Sequence, residues 1–291
     1  MMSSNTRGAA KIFPNCEAFV MEIQTVRALW FSPTGNAERI AVTAARTLSG
    51  QFGVPLDTLS LNRPEARKRE YAFTSTDFFV FACPVYAGKL PNKILPDLKA
   101  CLRGHDTPAA ALVTFGNRAL DNALAELVSV LTENGFRVVG AGAVVGEHAF
   151  TDKLGGGRPG VTDLWEVRTF AEKTAARFRD ASAVRTPGDA AAPYYVPKDT
   201  DGRPVNFLKA KPEVNLSRCN GCGACARLCP MGAIDPADVA RVPGTCIKCQ
   251  ACVTRCTRRA RAFRDPAFLS HVAMLERDFS EPKENAFFYG F

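Results

Sequence analysis

Eight of the eleven cysteines fall between Cys219 and Cys256, and no other feature of the 291-residue chain restricts its fold as strongly. Cys219, Cys222, Cys225 and Cys229 form C-x2-C-x2-C-x3-C, followed by Pro230. Cys246, Cys249, Cys252 and Cys256 repeat the same intervals. A shift of 27 residues carries each cysteine onto its counterpart and Ala233 onto Ala260, which marks an internal duplication. Crowded cysteines read as a disulfide framework or as a metal site, and the compartment decides between them. The segment before Met21 lacks the continuous apolar core of an export signal. No stretch approaches the roughly 18 apolar residues of a membrane helix. The expectation is a cytoplasmic protein without a membrane span, where disulfides are poorly maintained and metal is favoured. Zinc sites use paired C-x2-C units with longer gaps, often with histidine. No histidine lies between Cys219 and Cys256, so zinc is the weaker reading.

The runs resemble those of two-cluster bacterial ferredoxins, in which the fourth cysteine of each run ligates the other cluster. The resemblance implies two [4Fe–4S] clusters. One takes Cys219, Cys222, Cys225 and Cys256, and the other Cys246, Cys249, Cys252 and Cys229. Gly221, Gly223 and Ala224 leave backbone amides free to approach cluster sulfurs. The two runs differ just beyond their last cysteines. Thr257 stands in place of proline, and Arg258, Arg259 and Arg261 replace Met231, Gly232 and Ile234. That change bears on packing and local potential. The cationic edge reads first as a solvated face and second as an acceptor-docking face.

The amino-terminal two thirds carry a different pattern. Short apolar runs begin at Val26, Val54, Asp77, Ala109 and Phe136, ending near Ser32, Ser60, Pro84, Phe115 and Gly146. Helical spacing succeeds the first run (Ile40, Ala41, Ala44, Ala45, Leu48) and recurs over 91–102, 119–134 and 162–180. Five apolar strands alternating with helices predict an α/β fold with a five-stranded, doubly wound parallel sheet. Gly140 to Gly146 has the spacing G-x-G-x-x-x-G without an ensuing helix, so it reads as the fifth strand rather than a dinucleotide fingerprint. Cys83 and Trp30 read as core.

Ligands of such sheets bind beyond the carboxyl ends of the strands. Three loops lie there. Ser32, Thr34, Gly35, Asn36 and Ala37 join hydroxyls and a glycine to a helix amino terminus, a seat for phosphate. The loop has no lysine, so it is not the G-x-x-x-x-G-K-[ST] nucleotide loop. Pro84, Val85, Tyr86, Ala87 and Gly88 form the second loop, and Thr114, Phe115, Gly116, Asn117 and Arg118 the third. The T-G-N turn is similar to the phosphate loop of flavodoxins. That resemblance implies flavin mononucleotide (FMN), with the first loop holding its phosphate and the other two flanking its ring. Tyr86 reads equally as a stacking ring or as a half-buried loop aromatic, and Lys89 as a solvated rim charge. His148 reads as a structural loop histidine before a donor to the ring.

Through the motifs PVYAGKLP, TFGNRALDNAL and GEHAF, the chain from about Val26 to Phe263 resembles the EFR-family flavodoxin–ferredoxin fusions. That family carries an aromatic where this chain has Leu120. The implied division is an unassigned extension over 1–21, a flavodoxin-like FMN domain over 22–180 and a proline-rich linker over 181–213. A small α+β bacterial-ferredoxin-like domain over 214–264 and a tail over 265–291 complete it. The aromatic end of the tail suits docking on this chain or on a partner, and Tyr194 and Tyr195 suit pinning of the linker.

The formal net charge of +8 points first to nucleic acid or an anionic surface. Between Asn215 and Phe263, however, eight Lys and Arg face two Asp. Two oxidised clusters with their thiolates carry about −2 each, and a flavin phosphate roughly −2, which leaves about +2. No recognition helix is evident, so the expectation is no nucleic acid. The expected function is electron transfer between FMN and two clusters, to or from a redox protein or small acceptor. A flavin reductase of a small organic acceptor is second, framed by Arg118, His148 and residues 151–160. An iron–sulfur regulator binding nucleic acid is last.

Overall fold

The computed structural model describes residues 22–291, so the extension over 1–21, with Cys16, lies outside the described residues. Strand β1 (Thr25–Trp30) leads to helix α1 (Asn36–Phe52), β2 (Leu56–Ser60), α2 (Pro64–Arg67) and β3 (Tyr71–Phe73). Then come β4 (Asp77–Pro84), α3 (Leu95–Cys101), β5 (Leu102–Gly104), β6 (Thr107–Phe115), α4 (Ala123–Glu133), β7 (Phe136–Val145) and α5 (Val161–Arg177). The cysteine-rich part holds β8 (Glu213–Val214), α6 (Ala224–Arg227), α7 (Ala251–Thr254) and β9 (Arg261–Ala262). Helix α8 (Pro266–Asp278) and β10 (Ala286–Tyr289) close the chain.

The main sheet runs β2-β1-β4-β6-β7-β10, and its first five strands are parallel. This is the flavodoxin-like doubly wound order. β4 shows why the strands read as continuous apolar runs. Phe79, Phe81 and Cys83 enter the core on one face, and Phe78, Val80 and Ala82 the core on the other. With both faces covered, alternation of polar and apolar residues disappears. Each buried Phe contributes about 1.5–3 kcal/mol. Helix α1 buries Ala37, Ile40, Ala41, Ala44, Ala45 and Leu48, a stripe narrow enough to lie close on the sheet. Cys83 and Trp30 are both core residues, with exposures of 0% and 6%.

The five-stranded expectation gains a sixth strand. β10 pairs antiparallel with β7, Phe287 opposite Gly142 and Tyr289 opposite Gly140. Aromatic rings fit there because β7 is glycine-punctuated: a Cβ on Gly142 would stand 2.8 Å from Phe287 Cδ1. The added strand covers an edge that would otherwise present unpaired amides. The parallel pair β3 and β5 also escaped the sequence pattern, because three residues are too few to show a period. Helix α8 begins with Asp265 accepting the Phe268 N–H at 2.9 Å, with Pro266 in the first turn, and buries Phe268, His271, Met274 and Leu275. Among the described residues no helix is long and apolar enough to cross a membrane.

Candidate functional site

At the carboxyl end of β1, Gly35 takes φ +106° and turns the chain into α1. The Ser32 hydroxyl accepts the Glu38 N–H at 2.9 Å, and Asn62 grips the Ser32 backbone at both N–H (2.6 Å) and C=O (3.0 Å). The loop is thereby fixed with the first amides of a 17-residue helix at its mouth. Asn36 donates its amide to Glu147 O at 3.1 Å, tying this loop to the one after β7.

Thr34 and Asn36 line a cavity of about 540 Å³, within the range of small-molecule sites. Pro84, Val85, Tyr86, Ala87 and Gly88 from the second loop share its wall, as do Thr114, Phe115, Gly116 and Arg118 from the third. Four other expected residues do not line it. Ser32, Gly35 and Ala37 shape the loop behind the wall. Asn117 is turned away: its amide donates to Phe279 O at 2.7 Å and Glu281 O at 2.9 Å, and its carbonyl accepts the Lys283 N–H. It fastens the descending tail. The opposite wall was not foreseen. It consists of Tyr194, Tyr195 and Phe207 from the linker, Thr245 to Lys248 from the second cysteine run, and His271 and Leu275 from α8.

Tyr86 sits on a tight hairpin. Its N–H donates to Lys89 O at 2.8 Å and its carbonyl accepts back at 3.2 Å, around Ala87 (φ +49°) and Gly88 (φ +78°). Burial raises the Tyr86 phenol pKa, with further increases from the charges of Cys249, Cys83 and Cys246. Tyr86 lines the same cavity as Thr245 to Lys248 of the second cysteine run. Lys89 corrects the expectation of a rim charge. It is 6% exposed, pairs with Glu126 at 3.1 Å and donates to Ala190 O and Ala192 O. Glu126 also accepts the Leu90 N–H at 2.7 Å. This buried pair thus holds the linker against the second loop. Beyond it the Tyr194 hydroxyl donates to Leu90 O, the Tyr195 N–H donates to Ala87 O, and Arg118 lies over the Tyr195 ring at 4.1 Å.

His148 reaches the cavity wall from the loop after β7. Its Nδ1 accepts the Phe150 N–H at 3.1 Å, which leaves Nε2–H as the donor. Burial, with His271 and Arg118 adding to it, lowers its pKa to about 4. The neutral ring is favoured by the fold, so this contribution to stability is whole above about pH 6.5. It declines as pH falls towards 4, where the unfolded chain takes the proton first. His148→Gln is expected to flatten that acid limb, as read by thermal unfolding between pH 4 and 7.

The cysteine runs fold as two repeats. Cys229 Sγ accepts the Ala233 N–H at 3.3 Å, and Cys256 Sγ accepts the Ala260 N–H at 3.3 Å. Left-handed backbone recurs at Gly221 and Lys248, at Gly223 and Gln250, and at Gly232 and Arg259. The duplicated backbone persists where glycine has been replaced, at a cost of about 1–2 kcal/mol per residue. Cys229 lines one cavity with Cys246, Cys249 and Cys252. Cys219, Cys222, Cys225 and Cys256 line another, which Cys252 also borders. Among the described residues no three Cys, His, Asp or Glu converge closely enough to hold a single ion. Gln250 Nε2 and Arg261 Nε and Nη1 are buried beside these cavities without a hydrogen-bond partner. Thiols spread around a cavity with unused donors at its wall fit an iron–sulfur cluster. The larger cavity, with flat rings on its sides and helix amides at one end, fits a flavin with an anionic tail.

Residues 212–235 match the family model described as a 4Fe-4S binding domain. The chain thus combines a flavodoxin-like sheet with a region matching a 4Fe–4S binding domain, which supports at least one cluster and a redox role. No curated protein matches the chain. Among solved structures, a flavodoxin from the domain Archaea is 14% identical with a TM-score of 0.39, covering 54% of this chain and 99% of that one. The flavodoxin of Megasphaera elsdenii is 14% identical with a TM-score of 0.32, covering 51% and 98%. Rubredoxin oxygen:oxidoreductase from the anaerobe Desulfovibrio gigas is 15% identical with a TM-score of 0.36, covering 55% of this chain but 37% of that one.

Proposed function

We propose that the chain joins one FMN to two [4Fe–4S] clusters and moves electrons between the flavin and a separate redox partner, in the manner of EFR-family fusions. The observation that carries this reading is the shared wall. Thr245 to Lys248, including Cys246, border the same cavity as the phosphate loop and Tyr86. FMN exchanges electrons singly or in pairs, whereas each cluster passes one at a time. Thr34, Asn36 and the first amides of α1 receive the phosphate. Tyr86 and Tyr195 bound the ring, and His148 presents Nε2–H to it. Residues of the linker and α8 line the cavity, so a bound flavin would be partly shielded from water and each polar contact to it strengthened. Cys219, Cys222, Cys225 and Cys256 hold one cluster, and Cys229, Cys246, Cys249 and Cys252 the other. Such thiolate ligands call for a reducing compartment, the cytoplasm. Reduction of a small organic acceptor at the flavin is the second reading, favoured by His148, His271 and Arg118 in the cavity wall.

The deciding experiment is anaerobic purification with iron, sulfide, zinc and flavin quantified. About eight iron and one FMN per chain are expected. Zinc in place of iron, or no flavin, overturns the proposal. Turnover of small acceptors without any protein partner moves the assignment to the reductase. A narrower expectation concerns Gly116. A Cβ there would run into the His148 ring and meet His148 Cα at 2.9 Å, so a side chain must displace His148, which lines the same cavity. Gly116→Val should weaken FMN binding at least tenfold, about 1.4 kcal/mol, as read by flavin fluorescence titration.

A further inference from the structure

The 27-residue repeat places Ile234 and Arg261 at equivalent positions. Both side chains are 4% exposed. Ile234 lines the cavity of Cys229, Cys246, Cys249 and Cys252, and Arg261 lines the cavity of Cys219, Cys222, Cys225 and Cys256. An apolar wall in one cradle is thus a guanidinium in the other. Arg261 Nη2 donates to Val239 O, whereas Nε and Nη1 are buried with no partner. A buried cation with two idle donors is costly unless something anionic meets it.

Two other buried cations near the cysteines differ in this respect. Lys248 donates to Leu208 O and Cys246 O, and Arg67 to Asp97, Leu61 O, Asn62 O and Pro230 O. Both are committed to protein oxygens. The other cradle is lined by Lys248 as well, but among the described residues its one unpartnered buried side-chain donor is the neutral Gln250 amide.

The geometry points to Arg261 as the residue that sets the potential of the cluster in the Cys219, Cys222, Cys225 and Cys256 cradle, by donating Nε–H and Nη1–H to its sulfurs. This rests on the two-cluster reading. Positive charge and N–H···S bonds favour the reduced, more anionic cluster, so Arg261 raises that potential. Among the differences between the two repeats, this one places a buried cation against one cluster site and an apolar side chain against the other.

Arg261→Ile installs the residue of the other repeat at matching burial. Potentiometric EPR titration of the anaerobic protein should show one cluster shifted to lower potential, by at least tenfold in its reduction equilibrium, about 59 mV. The second cluster should stay in place. Arg261→Lys, which keeps charge and loses Nε–H, should shift the same cluster less. A Cys219→Ser variant assigns the signals. Full iron with unchanged potentials in Arg261→Ile overturns the inference, as does a shift in the cluster that Cys219→Ser leaves intact. Should Arg261→Ile lose iron, Arg261→Lys decides: unmoved potentials at full iron overturn the inference. Wild-type protein with only four iron per chain would instead sink the two-cluster reading itself.

Discussion

Cys229→Ser is expected to lower iron from about eight to roughly four per chain and to remove the cluster whose other ligands lie in the second run. The reason is placement. Cys229 lines the cavity formed by Cys246, Cys249 and Cys252, although 16 residues separate it from the nearest of them in sequence. Cys256→Ser should give the complementary loss, sparing the cluster of the second run. Iron, sulfide and the EPR spectrum of the dithionite-reduced protein read both variants, and the two residual spectra should differ. Loss of the cluster belonging to the mutated residue's own tripod would reject the crossed assignment. Serine preserves the volume, so the Ala233 amide keeps an acceptor in place of Cys229 Sγ, and the fold of the run should survive.

Glu126→Ala is expected to destabilise the chain by about 3–5 kcal/mol, since it leaves Lys89 charged and buried without its counter-ion. The Leu90 N–H would lose its acceptor at the same time. Thermal unfolding followed by circular dichroism should show a drop on the order of 10 °C. Because Lys89 also holds Ala190 O and Ala192 O, flavin affinity should fall with stability. Replacing both partners, as Lys89→Met with Glu126→Leu, should recover much of the stability while leaving the linker unfastened. A loss below about 1 kcal/mol in Glu126→Ala would show that the pair is far better hydrated than its burial implies.

How much of this was legible in sequence varies with the range of the interaction. Strands such as β4 announce themselves because both faces are apolar, and the cysteine spacing carries its own repeat. The turn proposed to hold the phosphate is local too, for Gly35 and the start of α1 are neighbours. Long-range facts left no such trace. β10 resembles any aromatic segment until Gly140 and Gly142 are seen opposite its rings. Lys89 is a surface residue by composition, and only Glu126 and the linker carbonyls make it an interior one. About a third of the cavity wall comes from the linker, the second cysteine run and α8, which have no periodicity in common. Asn117 sits in the right loop yet serves the tail, because a left-handed turn at φ +62° aims it elsewhere. The Ile234 to Arg261 exchange was visible as a substitution, but its burial and idle donors were not.

The return of the chain at β10 carries a mechanical consequence. Everything from the linker to α8 leaves the sheet after α5 and comes back to it at β7, so the segment bearing the cysteines is tethered at both ends. A partner that grips this segment cannot peel it away as it could a module hung on a single leash. Pulling must first unzip Ala286 to Tyr289 from β7 and release the Asn117 clasp. During synthesis the order is fixed as well. Both cysteine runs emerge from the ribosome before the strand that completes the sheet, so metal loading can begin on an open loop that is cinched shut afterwards.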